Sequence, residues 1–257
     1  NFSGINASAF TVVTQPASTV AAGNSTSFTV QFAPVTPGPH VAVVHVMNDN
    51  CARSDYDFVI HGESIEFTTL NIKMFIQGFY QNFGSPTPMD NFGSGGCLFV
   101  IGGASNQGDV DNVTVSLMDA STGALVGTAS GLLQTNGSLS LTLPASLLGN
   151  SYYLKLNHRN SVETWSANPV MIHPVTNYDF SSSAGKAYQG NQVEVEPGVF
   201  AIYSGDIIDA TTNTEGIQDG VIESADYSKM ENDVYMVISG YVPSDITGDG
   251  VVESADY

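Results

Sequence analysis

The chain contains one nonapeptide twice: Asp219-Gly-Val-Ile-Glu-Ser-Ala-Asp-Tyr227 returns as Asp249-Gly-Val-Val-Glu-Ser-Ala-Asp-Tyr257. The two copies differ at one position, where Ile222 stands in the first and Val252 in the second. Two acidic stretches of the same design indicate an internal repeat. Each copy joins an Asp-Gly turn to further carboxylates, so the first question is what such a loop binds.

The second copy has the spacing of a calcium loop. An EF-hand loop places oxygen ligands at positions 1, 3, 5, 7, 9 and 12 and a glycine at position 6. Counted from Asp245, these positions hold Asp245, Thr247, Asp249, Val251, Glu253 and Asp256, with Gly250 at position 6. Position 7 supplies only a backbone carbonyl, so a valine is suitable there. Asp256 replaces the usual glutamate, which suits a loop that closes more tightly.

The first copy follows the pattern less closely. Its later ligands, at positions 5, 7, 9 and 12, are Asp219, Val221, Glu223 and Asp226. A strict count puts Glu215 at position 1 and Ile217, which has no side-chain oxygen, at position 3. In the alternative, Asp206 is the first ligand and residues 208–216 are an insertion. The competing interpretation of both copies is a pair of solvated acidic turns.

An aspartate at the closing position followed by an aromatic residue, as in Asp256-Tyr257, resembles the dockerin repeats of secreted bacterial proteins. The resemblance implies two Ca²⁺ loops, each followed by one helix. Residues 224–234 contain no glycine or proline and are expected to form the first helix. Residues 254–257 are expected to begin the second.

The charge distribution points to a cation and away from nucleic acid. The formal net charge is −19, which would repel phosphates. Twelve of the 25 acids lie from Asp206 onward, against one base, Lys229. Such a block repels itself unless a cation is bound or the segment is unfolded. The sequence therefore predicts Ca²⁺ as the ligand of the tail.

Composition also predicts the location of the protein. Charged residues make up only 12% of the chain, which is typical of a secreted bacterial β-protein. No run of 18 apolar residues is present, so no membrane span is predicted. The N-terminal Asn1-Phe-Ser-Gly already reads as a strand, so we expect any export signal to have been removed. We expect an extracellular or cell-surface protein.

Residues 1–66 alternate with a period of two. Phe28, Val30 and Phe32 are expected to point to one face of a strand. Further strands are predicted at residues 40–47 and 55–60, with turns between them, as in a β-sandwich.

Residues 15–62 resemble the immunoglobulin-like ASH-type domains, called choice-of-anchor D, of bacterial surface proteins. The resemblance rests on Gln15-Pro16, Ala22-Gly23, residues 28–34, Pro37-Gly38, residues 46–49 and residues 56–62. It covers the C-terminal two-thirds of such a domain, and the opening strands have no counterpart. Because a sandwich without its first strands exposes unpaired backbone, we expect either trimming or a neighbouring chain that supplies them.

Residues 70–205 are predicted to form a second β-sandwich after a linker at residues 63–69. Alternating leucines and valines, an Asn136-Gly137 hairpin and a turn at residues 119–123 support this prediction. Residues 154–166 resemble a module that precedes dockerin-like repeats in Bacteroidota surface proteins. The expected fold is mainly β: two tandem β-sandwich domains (1–66 and 70–205), then a dockerin-like repeat region (206–257).

No catalytic set stands out, and we predict that the protein is not an enzyme. The five histidines lack metal-ligand spacing, and no GxSxG, P-loop or CxxC motif occurs. Glu194 and Glu196 are interpreted as surface charge. Trp165 is either a sugar platform or a core residue beside an Arg159–Glu163 pair, and the core interpretation is favoured. Cys51 and Cys97 form either a bridge or two free thiols.

These observations favour a calcium-stabilised structural or adhesive protein that polymerises into a filament or layer by strand sharing. Its expected partners are copies of itself or another surface protein, with polysaccharide as a further candidate. The alternatives are a dockerin-type anchoring module or a carbohydrate-binding module of a larger secreted protein.

Overall fold

The computed structural model describes residues 1–49, 54–89, 97–104, 106 and 108–257. The chain is mainly β and divides into two compact units, Asn1–Glu66 and Phe67–Tyr257. Among the described residues, no helix has the length and apolar character needed to cross a membrane. Cys51 and the side chain of Cys97, for which a bridge or two free thiols were considered, lie outside the described part of the chain.

The N-terminal unit is built from two small antiparallel sheets. Strands β1, β4 and β5 form one sheet in the order β1-β4-β5, and β2 pairs with β3 in the other. The strands are β1 (Phe2–Ser3), β2 (Phe10–Thr14), β3 (Thr29–Phe32), β4 (Gly38–Met47) and β5 (Asp55–Ser64). Val30 and Phe32 are half-buried while Thr29 and Gln31 are exposed, which confirms the predicted alternation.

The core of this unit is small. Its fully buried apolar side chains, among the described residues, are Ala9, Phe10, Ala42 and Val44. Phe58 and Ile60 on β5 face the core but are only half-buried. A unit of this size needs most of its inward-facing side chains buried to be stable. Part of the apolar core of this unit is therefore left exposed to solvent.

The second unit contains two larger sheets that face each other. One has the order β11-β10-β7-β8 with β12 also paired to β10, and the other has the order β13-β6-β9. The first strands are β6 (Phe67–Lys73), β7 (Asp109–Asp119), β8 (Leu125–Gln134), β9 (Ser138–Pro144), β10 (Ser151–His158) and β11 (Ser161–Trp165). The later strands are β12 (Val170–Met171), β13 (Val175–Asp179), β14 (Val193–Glu196), β15 (Val199–Ala201), β16 (Ile208–Asp209) and β17 (Thr214–Glu215).

One apolar core fills the space between these sheets. The alternate leucines and valines of β7, β9 and β10 are fully buried, as the sequence predicted: Val113, Val115, Leu117, Leu139, Leu141, Leu143, Leu154 and Leu156. The predicted hairpin at Asn136-Gly137 joins β8 to β9, where Gly137 has φ +85°. This left-handed conformation is the one that favours glycine.

The start of the second unit differs from the predicted bounds. Strand β6, which begins the second unit, ends at Lys73, although the chain stays buried through Met74, Phe75 and Ile76. A continuous apolar run does not distinguish a strand from a buried irregular segment. The linker expected at residues 63–69 is shorter, since β5 runs to Ser64 and β6 begins at Phe67.

The helices are short. Helix α1 spans Cys97–Val100 and helix α2 spans Ser224–Tyr235, where the sequence predicted residues 224–234. Residues Ser254–Asp256 form a single 3₁₀ turn at the place expected for a second helix.

Candidate metal centre

The second acidic loop is folded around two buried carboxylates. Asp245 and Asp256 are 0% and 3% exposed. Asp245 accepts hydrogen bonds from the backbone N–H of Gly248 at 2.8 Å and of Gly250 at 3.2 Å. Asp256 accepts from the backbone N–H of Thr247 at 2.9 Å. Since a carboxylate has about four lone-pair sites, these bonds orient both groups and leave acceptor capacity for a cation.

The first loop repeats this geometry with Asp206 and Asp226, which are 0% and 2% exposed. Asp206 accepts from Gly220 N–H at 2.9 Å, as Asp245 does from Gly250. Asp226 closes the loop by accepting from Ile208 N–H at 3.1 Å. The first buried carboxylate of this loop is therefore Asp206, the alternative considered for position 1.

The intervening residues loop out as expected for an insertion. Strands β16 and β17 pair as a small hairpin, with Ile208 opposite Glu215. Ile208 occupies the place of Thr247, so the first loop has no side-chain oxygen at position 3. Glu215, the other residue considered for position 1, is exposed and pairs with Lys229 at 3.1 Å.

The other predicted ligands lie at the mouths of the two loops in matching positions. Asp219 and Asp249 are more exposed and accept from the N–H groups of Val221 and Val251, at 3.1 and 2.8 Å. Glu223 and Glu253 are exposed and begin the following helical turns: each forms a capping box with the closing aspartate. The glycines at position 6, Gly220 and Gly250, have φ near +90°, as the sharp turn requires.

The ligand atoms are near one another but not gathered as tightly as around an ion. Among the described residues, three His, Cys, Asp or Glu ligand atoms within 4.8 Å of one another occur at His45, Asp55 and Asp57, and not in either loop. Calcium–oxygen distances are about 2.3–2.6 Å, so binding requires the loop carboxylates to draw inward. The sequence did not single out the exposed His45 cluster, whose members come from adjacent strands β4 and β5.

Electrostatics favours a cation in these loops. Burial, and secondarily the charge of Asp226, raises the pKa of Asp206 to about 7. Burial likewise raises the pKa of Asp245 to about 6, although Arg159 opposes the shift. Within the described chain, no lysine or arginine pairs with Asp206 or Asp226. Buried like charges without a counter-ion are costly, so an oxygen-seeking cation suits this donor set.

The pKa shifts predict how stability depends on pH. Between about pH 4 and 7, the folded metal-free protein holds more protons on Asp206 and Asp245 than the unfolded chain does. Its free energy of unfolding should therefore fall as pH rises through this window. With saturating Ca²⁺ the bound carboxylates are ionised, so the slope should vanish above about pH 5 and reverse below it, where the aspartates of the unfolded chain begin to protonate. Urea midpoints of metal-stripped and calcium-loaded protein at four pH values measure both slopes.

A control keeps this prediction specific. Asp206→Asn does not titrate, so it should flatten the metal-free slope, whereas Asp209→Asn in the inserted hairpin should not. Parallel slopes with and without Ca²⁺ would count against carboxylates that bind the ion.

The second loop is docked against the β-sandwich by a buried arginine. The Arg159 Nε donates to Asp111 at 2.8 Å, and an Nη atom lies 3.4 Å from Asp245. The guanidinium lies between the rings of Phe79 and Tyr241, 5.8 and 4.6 Å from their centroids. Arg159 lies in the turn between β10 and β11, so its guanidinium joins the sandwich to Asp245, a predicted calcium ligand.

Asp111 is the centre of this network. Its carboxylate is 1% exposed and accepts from Arg159 and from the Tyr241 hydroxyl. His158 Nε2 lies 3.2 Å away without the alignment of a hydrogen bond. Burial alone would raise the pKa of Asp111, but His158, Arg159 and Tyr241 hold it well below its ordinary value. Sequence reasoning missed this network because no spacing links residues 111, 159 and 241.

Close backbone approach reinforces the docking. A Cβ at Gly248, where φ is +84°, would overlap the Phe79 ring, and a Cβ at Gly78 would overlap the carbonyl of Ile246. Asn160 also donates to the carbonyl of Asp245 at 2.8 Å. The second loop and the sandwich are thus parts of one packed unit.

The favoured interpretation of Trp165 is wrong. Trp165 is half-buried on the outer face of the β10–β11 sheet and is not a member of the core. Arg159 does not pair with Glu163. Glu163 instead accepts from Lys155 at 2.8 Å and from the Trp165 indole at 2.6 Å. The cause is register: Trp165 is opposite Lys155, which alternates outward from the buried Leu154 and Leu156.

Glu194 and Glu196 lie on β14, and Glu196 accepts a hydrogen bond from the Tyr80 hydroxyl at 2.7 Å.

No protein-family model matches the chain, and no curated protein or solved structure was found that matches it. The resemblances to dockerin repeats, to ASH-type domains and to a Bacteroidota module therefore remain predictions from the residues themselves.

Proposed function

We propose that this chain is an extracellular structural or adhesive protein that is stabilised by Ca²⁺ and assembles by strand sharing. Four buried carboxylates carry the calcium part of the proposal: Asp206, Asp226, Asp245 and Asp256 occur as two pairs with the same hydrogen-bond pattern. A bound Ca²⁺ supplies the positive charge that the first pair lacks and that Arg159 provides only in part at the second pair. Oxygen-only donor sets of this kind suit a hard cation.

Each loop contributes differently to binding. In the second loop, Asp245, Thr247, Asp249, Asp256 and the Val251 carbonyl would hold the ion, and Arg159 already offsets part of the charge. In the first loop, Asp206, Asp219, Asp226 and the Val221 carbonyl would hold it, without a side-chain oxygen at position 3. We therefore expect two sites of unequal affinity.

Calorimetric titration of the full, metal-stripped chain with Ca²⁺ tests this part. Two sites are expected, because two carboxylate pairs are present. Asp206→Asn should remove one site and leave the other within about twofold in affinity. Asp209→Asn, on the inserted hairpin of the same loop, is the matched control and should keep both sites. If excess Ca²⁺ gives no heat of binding and the protein does not compete with a calcium indicator, the calcium role is excluded.

Strand sharing is supported by the open state of the N-terminal unit. Strand β5 is at the outer edge of its sheet, and no described strand pairs with its free side. A cleft with a volume of about 240 Å³ opens between the two small sheets and is lined partly by Val12, Phe28, Val46 and Met47. An apolar segment from another copy would fill this cleft, and the free side of β5, which does not line the cleft, offers exposed backbone for strand pairing.

A pair of charge-matched variants tests the assembly. Met47 is 66% exposed and lines the cleft, so Met47→Glu should leave the fold intact but weaken self-association at least tenfold, roughly 1.4 kcal/mol. Val13→Glu adds the same charge to a side chain that is 61% exposed outside the cleft. Light scattering coupled to sizing, over a concentration series with Ca²⁺, reports the assembly.

The same measurement has a clear contrary result. A monomer at every concentration, with and without Ca²⁺, removes the strand-sharing part of the proposal. Equal weakening by both variants would point to general charge repulsion and not to the cleft.

A further inference from the structure

We propose that the outer face of the β10–β11 sheet is a binding site for a neutral carbohydrate, with Trp165 as its platform. This site is independent of the calcium loops and of strand sharing. The motivating feature is a pair of adjoining clefts that share Trp165 and Tyr188. Their volumes are about 400 Å³ and 360 Å³, which is enough for a sugar unit on each side of the indole.

Three aromatic side chains meet at this place. Tyr153 and Trp165 contact edge to face with centroids 6.1 Å apart, and Tyr188 is 52% exposed across the clefts. Several aromatic side chains grouped at one surface cleft form a local apolar area that a ligand can cover. A pyranose ring has one apolar C–H face, which stacks on an aromatic ring and removes both from water.

The platform is fixed before any ligand arrives. The indole N–H donates to Glu163, which Lys155 also binds, so the ring is held by its own polar edge. Lys155 lies 5.9 Å from the centroid of the indole. Because Glu163 and Lys155 are paired with each other, the ring is preorganised without an unpaired charge at its own edge. Preorganised aromatic groups lose little entropy on binding.

Polar groups suited to hydroxyls line the rim. The side-chain amide of Gln189 is exposed and forms no hydrogen bond within the described chain, while Asn191 and Tyr203 line the same cleft. An amide both donates and accepts, as a sugar hydroxyl does. Gln189 also has φ +54°, a left-handed conformation that is strained for a residue with a side chain. Such strain at a cleft is consistent with a recognition role.

Charge decides which class of carbohydrate is expected. The chain carries a net charge of −19, and Asp119 and Glu163 line the two clefts. An acidic polysaccharide would be repelled, whereas a neutral one meets aromatic faces and amides. An apolar peptide would leave the amides of the rim unpaired, so it is the less suitable occupant.

The test uses the full calcium-loaded chain in native gels that contain a neutral glucan, xylan, mannan or galactan. Retardation by at least one of these is expected. Trp165→Ala should weaken that binding by about 30-fold, the effect of removing a central aromatic anchor. Tyr188→Ala should weaken it severalfold. Gln189→Gly should weaken binding while leaving the melting temperature equal or higher, since it relieves the left-handed backbone.

Controls separate the site from the fold. Tyr235 is 85% exposed on α2 and lines neither cleft, so Tyr235→Ala should bind as the unmodified protein does. Trp165→Ala should keep both Ca²⁺ sites, so the failure of this inference is distinguishable from failure of the calcium proposal. No retardation by any neutral polysaccharide overturns the inference. Self-association that Trp165→Ala abolishes, without glycan binding, would assign the face to protein contacts instead.

Discussion

Removal of Ca²⁺ is expected to lower the melting temperature of the second unit by about 10 °C or more. An ion that binds only the folded loops stabilises by about 2.7 kcal/mol per site at a hundredfold excess over its dissociation constant. A change of 1 kcal/mol shifts the melting temperature by about 2–4 °C in a domain of 150–250 residues. Two occupied loops therefore give the stated shift.

The carboxylate pairs explain why the effect should be large. Without the ion, Asp206 and Asp226 are buried beside each other with no paired lysine or arginine in the described chain. Adding Ca²⁺ back should restore the melting temperature, and its value should rise with the logarithm of free Ca²⁺. Scanning calorimetry in EDTA and in a Ca²⁺ series measures it.

Ionic strength is the necessary control, because screening by any added salt stabilises a chain with a net charge of −19. Na⁺ at matched ionic strength should recover only a small part of the shift, and Mg²⁺ less than Ca²⁺. If Na⁺ restores the full shift, or EDTA has no effect, the loops do not bind Ca²⁺ in a way that stabilises the fold.

Asp111→Ala is expected to destabilise the second unit by about 3–5 kcal/mol, the cost of breaking a buried ion pair from one side. The change leaves the Arg159 guanidinium, 11% exposed, without its main partner. The Tyr241 hydroxyl loses its acceptor as well. Chemical denaturation in excess Ca²⁺, followed by circular dichroism, gives the free energy of unfolding.

Asp119→Ala provides the matched comparison at the other end of the same strand. The Asp119 side chain accepts from Ser121 and Thr122 of its own exposed turn, so its loss should cost far less than the loss of Asp111. The double variant Asp111→Leu with Arg159→Met should recover much of the lost stability, since both charges are gone. Equal costs for Asp111→Ala and Asp119→Ala would refute the importance of the buried network.

The same variant links the sandwich to the calcium loop. In Asp111→Ala, Arg159 is free to move toward Asp245, which already lies 3.4 Å away. Ca²⁺ affinity at the second loop should therefore fall while the first loop keeps its affinity. The docking network thus explains why a tail rich in acids is part of the same compact unit as an apolar sandwich.

The sequence by itself determined the local elements. Period-two alternation gave β7, β9 and β10 with the correct faces, because a strand must place every second side chain in the core. Asn136-Gly137 gave the hairpin, because only a few residues adopt its backbone angles. The absence of glycine and proline from residues 224–234 predicted α2. The duplicated loops were visible because their carboxylates, their Asp-Gly turns and their spacing are local properties.

Tertiary structure alone decided what depends on distant residues meeting. Residues 111, 159, 241 and 245 form one network only after β7, the β10–β11 turn and the second loop pack together. The outward position of Trp165 follows from its pairing with Lys155, a register that no single strand contains. Likewise, hydrogen bonds across the inserted hairpin, and not residue counting, place Asp206 as the counterpart of Asp245. Burial and charge pairing are properties of the assembled fold, so a linear pattern does not encode them directly.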